Sequence, residues 1–126
     1  MIIRADGVIT WELPNGRLHR PDGPALYDKD MRCEEWYLNG SLHRVDGPAK
    51  IRRYINNYEE WYLNGITHRS DGPAVTFSDG QVVYCIHGNY MNLEEFSRAY
   101  LITHLCEYKG HPNDAPVFNF TPKNQQ

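Results

Sequence analysis

The stretch Glu35-Trp36-Tyr37-Leu38-Asn39-Gly40-Ser41-Leu42-His43-Arg44-Val45-Asp46-Gly47-Pro48-Ala49 returns, little changed, as Glu60 to Ala74. A shorter copy, Asn15-Gly16-Arg17-Leu18-His19-Arg20-Pro21-Asp22-Gly23-Pro24-Ala25, precedes both. Self-similarity at a period of about 25 residues marks stacked supersecondary units; that period is too short for a pair of helices and suits one β-hairpin with a connecting loop. Equivalent units present equivalent surfaces, so the phrase points to a binding surface before it points to a catalytic centre.

Working outward, Trp11, Trp36, Trp61 and Tyr84 occupy equivalent positions, each followed two residues later by Leu13, Leu38, Leu63 or Ile86. Residues two apart share a strand face, so each unit offers an aromatic and an aliphatic side chain to one core, with Glu12, Tyr37, Tyr62 and Cys85 on the other face. The Asn-Gly that follows is a turn signal, because both residues tolerate positive φ. The extra Pro14 in the first copy reads as a bulged turn. After Ala25, Ala49 and Ala74 comes a second strand, then a turn at the loose Asp28-Lys29-Asp30, at Asn56-Asn57 or at Asp79-Gly80, then the next aromatic strand. Ile2-Ile3-Arg4, the Asp6-Gly7 turn and Val8 to Leu13 form the same hairpin without the upstream phrase. The expected fold is mainly β, an array of about four antiparallel β-hairpin repeats.

The loop His-Arg-x-Asp-Gly-Pro carries the chemistry. Gly-Pro marks entry to the next strand, since proline cannot donate a ladder hydrogen bond, and Asp22, Asp46 and Asp71 are expected to cap the turn by accepting backbone N–H groups. Stacking would set Arg20, Arg44 and Arg69 in one row beside a row of aspartates, each neutralising the other between neighbouring units. The alternative is a ligand-facing comb: His19, Arg20, His43, Arg44, His68 and Arg69 form the candidate binding set, since guanidinium forks match phosphates and carboxylates and histidine adds donors. No Cys or His partner stands at zinc-ligand spacing, so no metal and no cofactor is expected. Cys85 with His87, and His104 with Cys106, are the nearest approaches to a nucleophile and base. Neither is accompanied by a nucleophile elbow, a phosphate loop or a metal motif, and no catalytic residue is assigned.

The C-terminal third departs from the phrase. Val83 to Gly88 begins a fourth unit, which runs into Asn89-Tyr90-Met91 and then a helix start, with Asn92 as N-cap and Glu95 at the reciprocal capping position. Leu93, Phe96, Tyr100 and Leu101 recur at helical spacing, His104, Leu105 and Tyr108 extend the stripe, and Gly110 and Pro112 end it. The helix is expected to cap the open end of the array, which needs an atypical terminal unit to hide its last apolar face. Val117, Phe118 and Phe120 are expected to fold back on it. Residues 1–91 thus form the hairpin array, and residues 92–126 the capping helix and a proline-containing tail of the same domain.

Composition narrows the function. The 126 residues carry a formal net charge of -3 and a pI near 6.0, which argues against a nucleic-acid partner held by electrostatics. The three cysteines, Cys33, Cys85 and Cys106, are odd in number and lack Cys-x-x-Cys spacing, as expected of reduced thiols in a cytoplasmic protein. No stretch approaches the roughly 20 apolar residues of a membrane span.

The phrase Glu-Trp-Tyr-Leu-Asn-Gly-x-x-His-Arg-x-Asp-Gly-Pro-Ala, at Glu35 to Ala49 and Glu60 to Ala74, resembles a repeat found in small proteins of tailed bacteriophages and giant viruses. The likeness covers residues 1 to about 96, including the ending Leu93-Glu94-Glu95-Phe96. More distantly, the aromatic strands and Asn-Gly turns look like MORN β-hairpin repeats, without that family's Gly-x-Gly pattern. What the phage resemblance implies is an accessory protein acting in the host cytoplasm by binding and inhibiting a host protein, for example one of anti-phage defence. The leading expectation is therefore a non-enzymatic protein-interaction module. The alternative is a binder or sponge for a nucleotide or other anion through the His-Arg loops. The edge strand near residues 1 to 13 leaves room for a homo-oligomer.

Overall fold

The computed structural model describes residues 1–54 and 56–105. In chain order the strands are β1 (Ile2–Ile3), β2 (Ile9–Thr10), β3 (Leu26–Asp28), β4 (Cys33–Glu35), β5 (Tyr37–Leu38), β6 (Ser41–Leu42) and β7 (Lys50–Arg52). They continue as β8 (Tyr58–Glu60), β9 (Tyr62–Leu63), β10 (Ile66–Thr67), β11 (Val75–Thr76), β12 (Val82–Ile86) and β13 (Asn89–Met91), before helix α1 (Leu93–Leu105). One nine-stranded antiparallel sheet has the order β1-β2-β3-β4-β7-β8-β11-β12-β13, and β5–β6 and β9–β10 are separate two-stranded hairpins. The chain is thus mainly β with a single helix among the described residues, in agreement with the alternation and turn signals of the sequence.

The tryptophans are where the chain leaves the large sheet. The Trp36 N–H donates to the Ala49 carbonyl at 2.7 Å while its own carbonyl accepts from the His43 N–H at 3.0 Å, so one residue joins the sheet to the small hairpin that follows. Trp11 (2.8 and 2.9 Å, to Ala25 and from His19) and Trp61 (2.7 and 3.0 Å, to Ala74 and from His68) do the same. Beyond Tyr84 no such break occurs: β12 runs straight on, pairing with β11 through Val82 and Val83 and with β13 through Tyr84 to Ile86.

Turn chemistry sets these lengths. Asn39, Asn64 and His87 each hold φ 49, followed by Gly40, Gly65 and Gly88 at φ 81, 78 and 79, the two-residue turn with both φ positive that matches the twist of a hairpin. The Pro14 insertion lengthens the first turn as expected: the Leu13 N–H reaches the Arg17 carbonyl at 2.9 Å, and Gly16 takes φ 85.

The interior is made of small residues. Ala25, Ala49 and Ala74 are 0% exposed, as are Cys85 and Phe96. Trp11, Trp36 and Trp61, expected as core, are only half-buried. A sheet of this kind has one layer, and what covers each indole is an arginine rather than a second sheet.

Helix α1 begins with the expected reciprocal cap: the Glu95 N–H donates to Asn92 Oδ1 at 2.8 Å and the Asn92 N–H to Glu95 Oε1 at 3.3 Å. Phe96 stacks on Tyr84 of β12 with ring centroids 4.6 Å apart, fastening the helix to β12 and β13. Cys106, Tyr108, the Gly110 and Pro112 stops, the apolar residues of the tail, and the side chains of His104 and Leu105 lie outside the described residues. No described helix is long and apolar enough to cross a membrane.

Candidate functional site

Each His-Arg pair of the sequence is drawn into the framework. Arg20, Arg44 and Arg69 lie over the rings of Trp11, Trp36 and Trp61, with the guanidinium carbon 3.9, 3.9 and 4.0 Å from the ring centroid. Each Nε donates to the aspartate of the same phrase, at 3.4 Å to Asp22, 3.2 Å to Asp46 and 2.8 Å to Asp71. One terminal nitrogen donates to the carbonyl of Pro24, Pro48 or Pro73 at 3.2 Å in every case. The aspartates therefore engage the arginine of their own phrase rather than turn N–H groups, and charge is neutralised within a phrase rather than between neighbours. A planar cation between an indole face and a carboxylate satisfies both the ring quadrupole and the fork geometry of arginine.

The glycine of Asp-Gly-Pro makes room for this arrangement. A Cβ on Gly23, Gly47 or Gly72 would lie 2.7, 2.7 or 2.8 Å from the guanidinium carbon of Arg20, Arg44 or Arg69. Any other residue there would push the arginine off its ring.

The histidines link one phrase to the next. Nδ1 of His19 accepts the Asn39 N–H at 2.9 Å, Nδ1 of His43 the Asn64 N–H at 2.9 Å, and Nδ1 of His68 the His87 N–H at 2.8 Å. An accepting Nδ1 requires the neutral ring with its proton on Nε2. Backbone bonds run in parallel: the N–H groups of Arg20, Arg44 and Arg69 donate to the carbonyls of Tyr37, Tyr62 and Cys85 at 3.0, 3.1 and 3.0 Å. His68 and His87 are stacked, with centroids 4.2 Å apart, and burial together with the His87 charge lowers the His68 pKa.

On the other face, a hydroxyl meets a carboxylate two residues away across each tryptophan. The Thr10 hydroxyl donates to Glu12 at 2.7 Å, the Tyr37 hydroxyl to Glu35 at 2.7 Å, and the Tyr62 hydroxyl to Glu60. Burial and the Glu60 bond push the Tyr62 pKa up to about 12, and burial with the Glu35 bond raises that of Tyr37 still further. These phenols stay protonated and act as donors. Burial likewise raises the Cys33 and Cys85 thiols, so both are held as poor nucleophiles. Cys85 Sγ lies 3.2 Å from the Thr67 carbonyl, whereas His87 faces His68, so the candidate pair Cys85 and His87 is not assembled for proton transfer. Among the described residues no three His, Cys, Asp or Glu side chains come together as metal ligands.

The predicted set is thus present as three separate His-Arg pairs, of which Arg44, His68 and Arg69 border one small cavity of about 240 Å³ with Trp61 and Asp71. A larger groove lies at the hairpin ends, lined by Tyr27, Lys29, Arg32, Glu34, Ile51 and Arg53. Sequence reasoning passed over it. The available signal was the missing glycine in Asp28-Lys29-Asp30-Met31-Arg32, where the other hairpins have Asp6-Gly7 and Asp79-Gly80. No family model matches this chain, and no curated protein or solved structure matches it either.

Proposed function

We propose that this chain is a non-enzymatic protein-interaction module, an array of about four β-hairpin units with a period of about 25 residues closed at one end by α1. The observation that carries the reading is the contrast between the two kinds of loop. The His-Arg loops are occupied in holding neighbouring segments together, while the hairpin ends expose Met31 (46%), Tyr54 (59%) and Phe77 (42%) beside several cations. Exposed aromatics next to arginine are the composition of recognition surfaces rather than of a framework. Buried, protonated thiols support a role without covalent chemistry. In line with the resemblance of the phrase to phage proteins, the partner proposed is a host protein of the bacterial cytoplasm, inhibited by being bound. Capture from a bacterial lysate on the immobilised chain tests this. One dominant protein recovered in stoichiometric amount is expected, and recovery of nothing above background refutes it.

A second reading, an anion binder working through the His-Arg loops, has the small cavity between Arg44 and Arg69 in its favour. Against it, each guanidinium already has a ring, a carboxylate and a carbonyl as partners. Calorimetric titration with nucleotides and cyclic dinucleotides separates the two. Saturable heat that disappears in Arg44→Ala selects the anion binder.

A further inference from the structure

The groove at the hairpin ends has the features of a recognition site in its own right. Its floor is a cross-strand row, Tyr27 on β3 paired with Glu34 on β4 and Glu34 with Ile51 on β7. Residues paired in this way share one face of the sheet. Lys29 and Arg32 from the β3–β4 turn and Arg53 beyond β7 form the rim, enclosing a volume of about 810 Å³.

The rim contains a residue in an unfavourable conformation. Arg32 holds φ 48, left-handed space that the turns at Gly7 (φ 86) and Gly80 (φ 90) assign to glycine. For an arginine this costs on the order of 1 kcal/mol. The surroundings impose it: Asp28 Oδ1 accepts the N–H groups of Asp30 and Met31 at 3.0 and 3.2 Å, and the Arg32 carbonyl accepts the Arg53 N–H at 3.1 Å. That carbonyl bond belongs to the backbone and any residue could make it. The strain therefore goes with a side chain whose charge has no ion-pair partner among the described residues, and Lys29 is in the same position. Arg53 is paired with Glu59 at 2.7 Å.

Two unpaired cations beside a tyrosine and an isoleucine suit an anionic ligand that also carries apolar side chains. A polyphosphate backbone is a poor match, because Glu34 stands in the floor and Asp28 and Asp30 adjoin the turn. We infer that this groove binds an acidic segment of a protein partner, its carboxylates on Arg32 and Lys29 and an apolar side chain over Tyr27 and Ile51. The inference rests on the interaction reading above and names the partner's chemistry.

The test is fluorescence polarisation at low and high salt with a labelled Glu-Glu-Phe-Glu-Glu peptide, against Lys-Lys-Phe-Lys-Lys and a single-stranded oligothymidylate. Saturable binding of the acidic peptide alone is expected, weakened by salt and reduced about tenfold in Arg32→Asn, since one charge-assisted contact is lost. Asparagine tolerates left-handed φ, so this variant keeps the turn, and an unchanged melting temperature verifies that. Absence of saturable binding, binding unaffected by Arg32→Asn, or tighter binding of the oligothymidylate overturns the inference. Lysate capture with the same variant separates the two proposals. Equal recovery of one partner by the unmodified chain and by Arg32→Asn removes the groove and leaves the interaction reading standing, whereas recovery by neither removes the interaction reading itself.

Discussion

The guanidinium of Arg44 lies 3.9 Å over the indole of Trp36, and the same contact joins Arg20 to Trp11 and, at 4.0 Å, Arg69 to Trp61. In a sheet without a second layer, this stack is what dries one face of each indole, and the carboxylate and the proline carbonyl hold the cation in place. Arginine is required for its plane as well as its charge. Arg44→Lys is expected to lower unfolding free energy by about 1 kcal/mol, because an ammonium can neither lie flat on the ring nor keep both hydrogen bonds. Urea denaturation followed by tryptophan fluorescence measures this, and an unchanged midpoint contradicts it.

Gly47→Ala should act through the same stack. Its Cβ would sit 2.7 Å from the Arg44 guanidinium carbon, so the arginine must leave Trp36, at an expected cost of about 2 kcal/mol for overpacking and lost contacts. Combined with Arg44→Ala, the second loss should be much smaller than the sum of the two. Additivity in that double-mutant cycle would show that the glycine serves something else.

Stability should fall on the acid side. His68 accepts a backbone N–H at Nδ1, and its folded pKa is lowered from the ordinary 6.5 by burial and by His87. A lowered folded pKa means that the unfolded chain binds the proton more readily, so the stabilisation is complete above about pH 6.5 and is lost as pH drops through the folded value. His68→Asn retains an acceptor at the Nδ1 position and does not titrate. Thermal midpoints between pH 8 and pH 5 should therefore slope less steeply in His68→Asn than in the unmodified chain.

Phe96 is 0% exposed and holds α1 to Tyr84, the counterpart of the tryptophans. Phe96→Ala is expected to cost about 3–5 kcal/mol and to free the helix from the sheet. Faster amide exchange confined to residues of α1 and β13 would display the loosened end. Uniform loss of protection would instead point to global unfolding.

Tyr84→Phe should go the other way. The Tyr84 hydroxyl is buried with no hydrogen-bond partner, and burial raises its pKa. Removing an unsatisfied buried donor is neutral or favourable by up to about 1 kcal/mol. A clear loss of stability in urea melts would reveal a partner for that hydroxyl.

Much of the backbone was legible in the sequence because turns and caps depend on nearest neighbours. Asn39-Gly40 and Asn64-Gly65 announce turns through their tolerance of positive φ, and Asn92 with Glu95 announces a helix start through side-chain oxygens within reach of N–H groups three residues away. The mainly β character with a single C-terminal helix follows from such local preferences. Partner choice over longer distances does not. Whether Arg44 would reach for a ligand or fold back on Trp36, and whether His43 would face solvent or accept the Asn64 N–H, depends on how the loop docks against segments some 20 residues away. Only tertiary structure decides that, because an arginine and a histidine offer the same donors and acceptors to a neighbour as to a ligand. The sequence by itself determined where this chain bends and which residues recur. The packed fold decided that the recurring His-Arg pairs hold the sheet together, and that the charged groove lies around Arg32, in the one hairpin turn where an arginine occupies a glycine-like conformation.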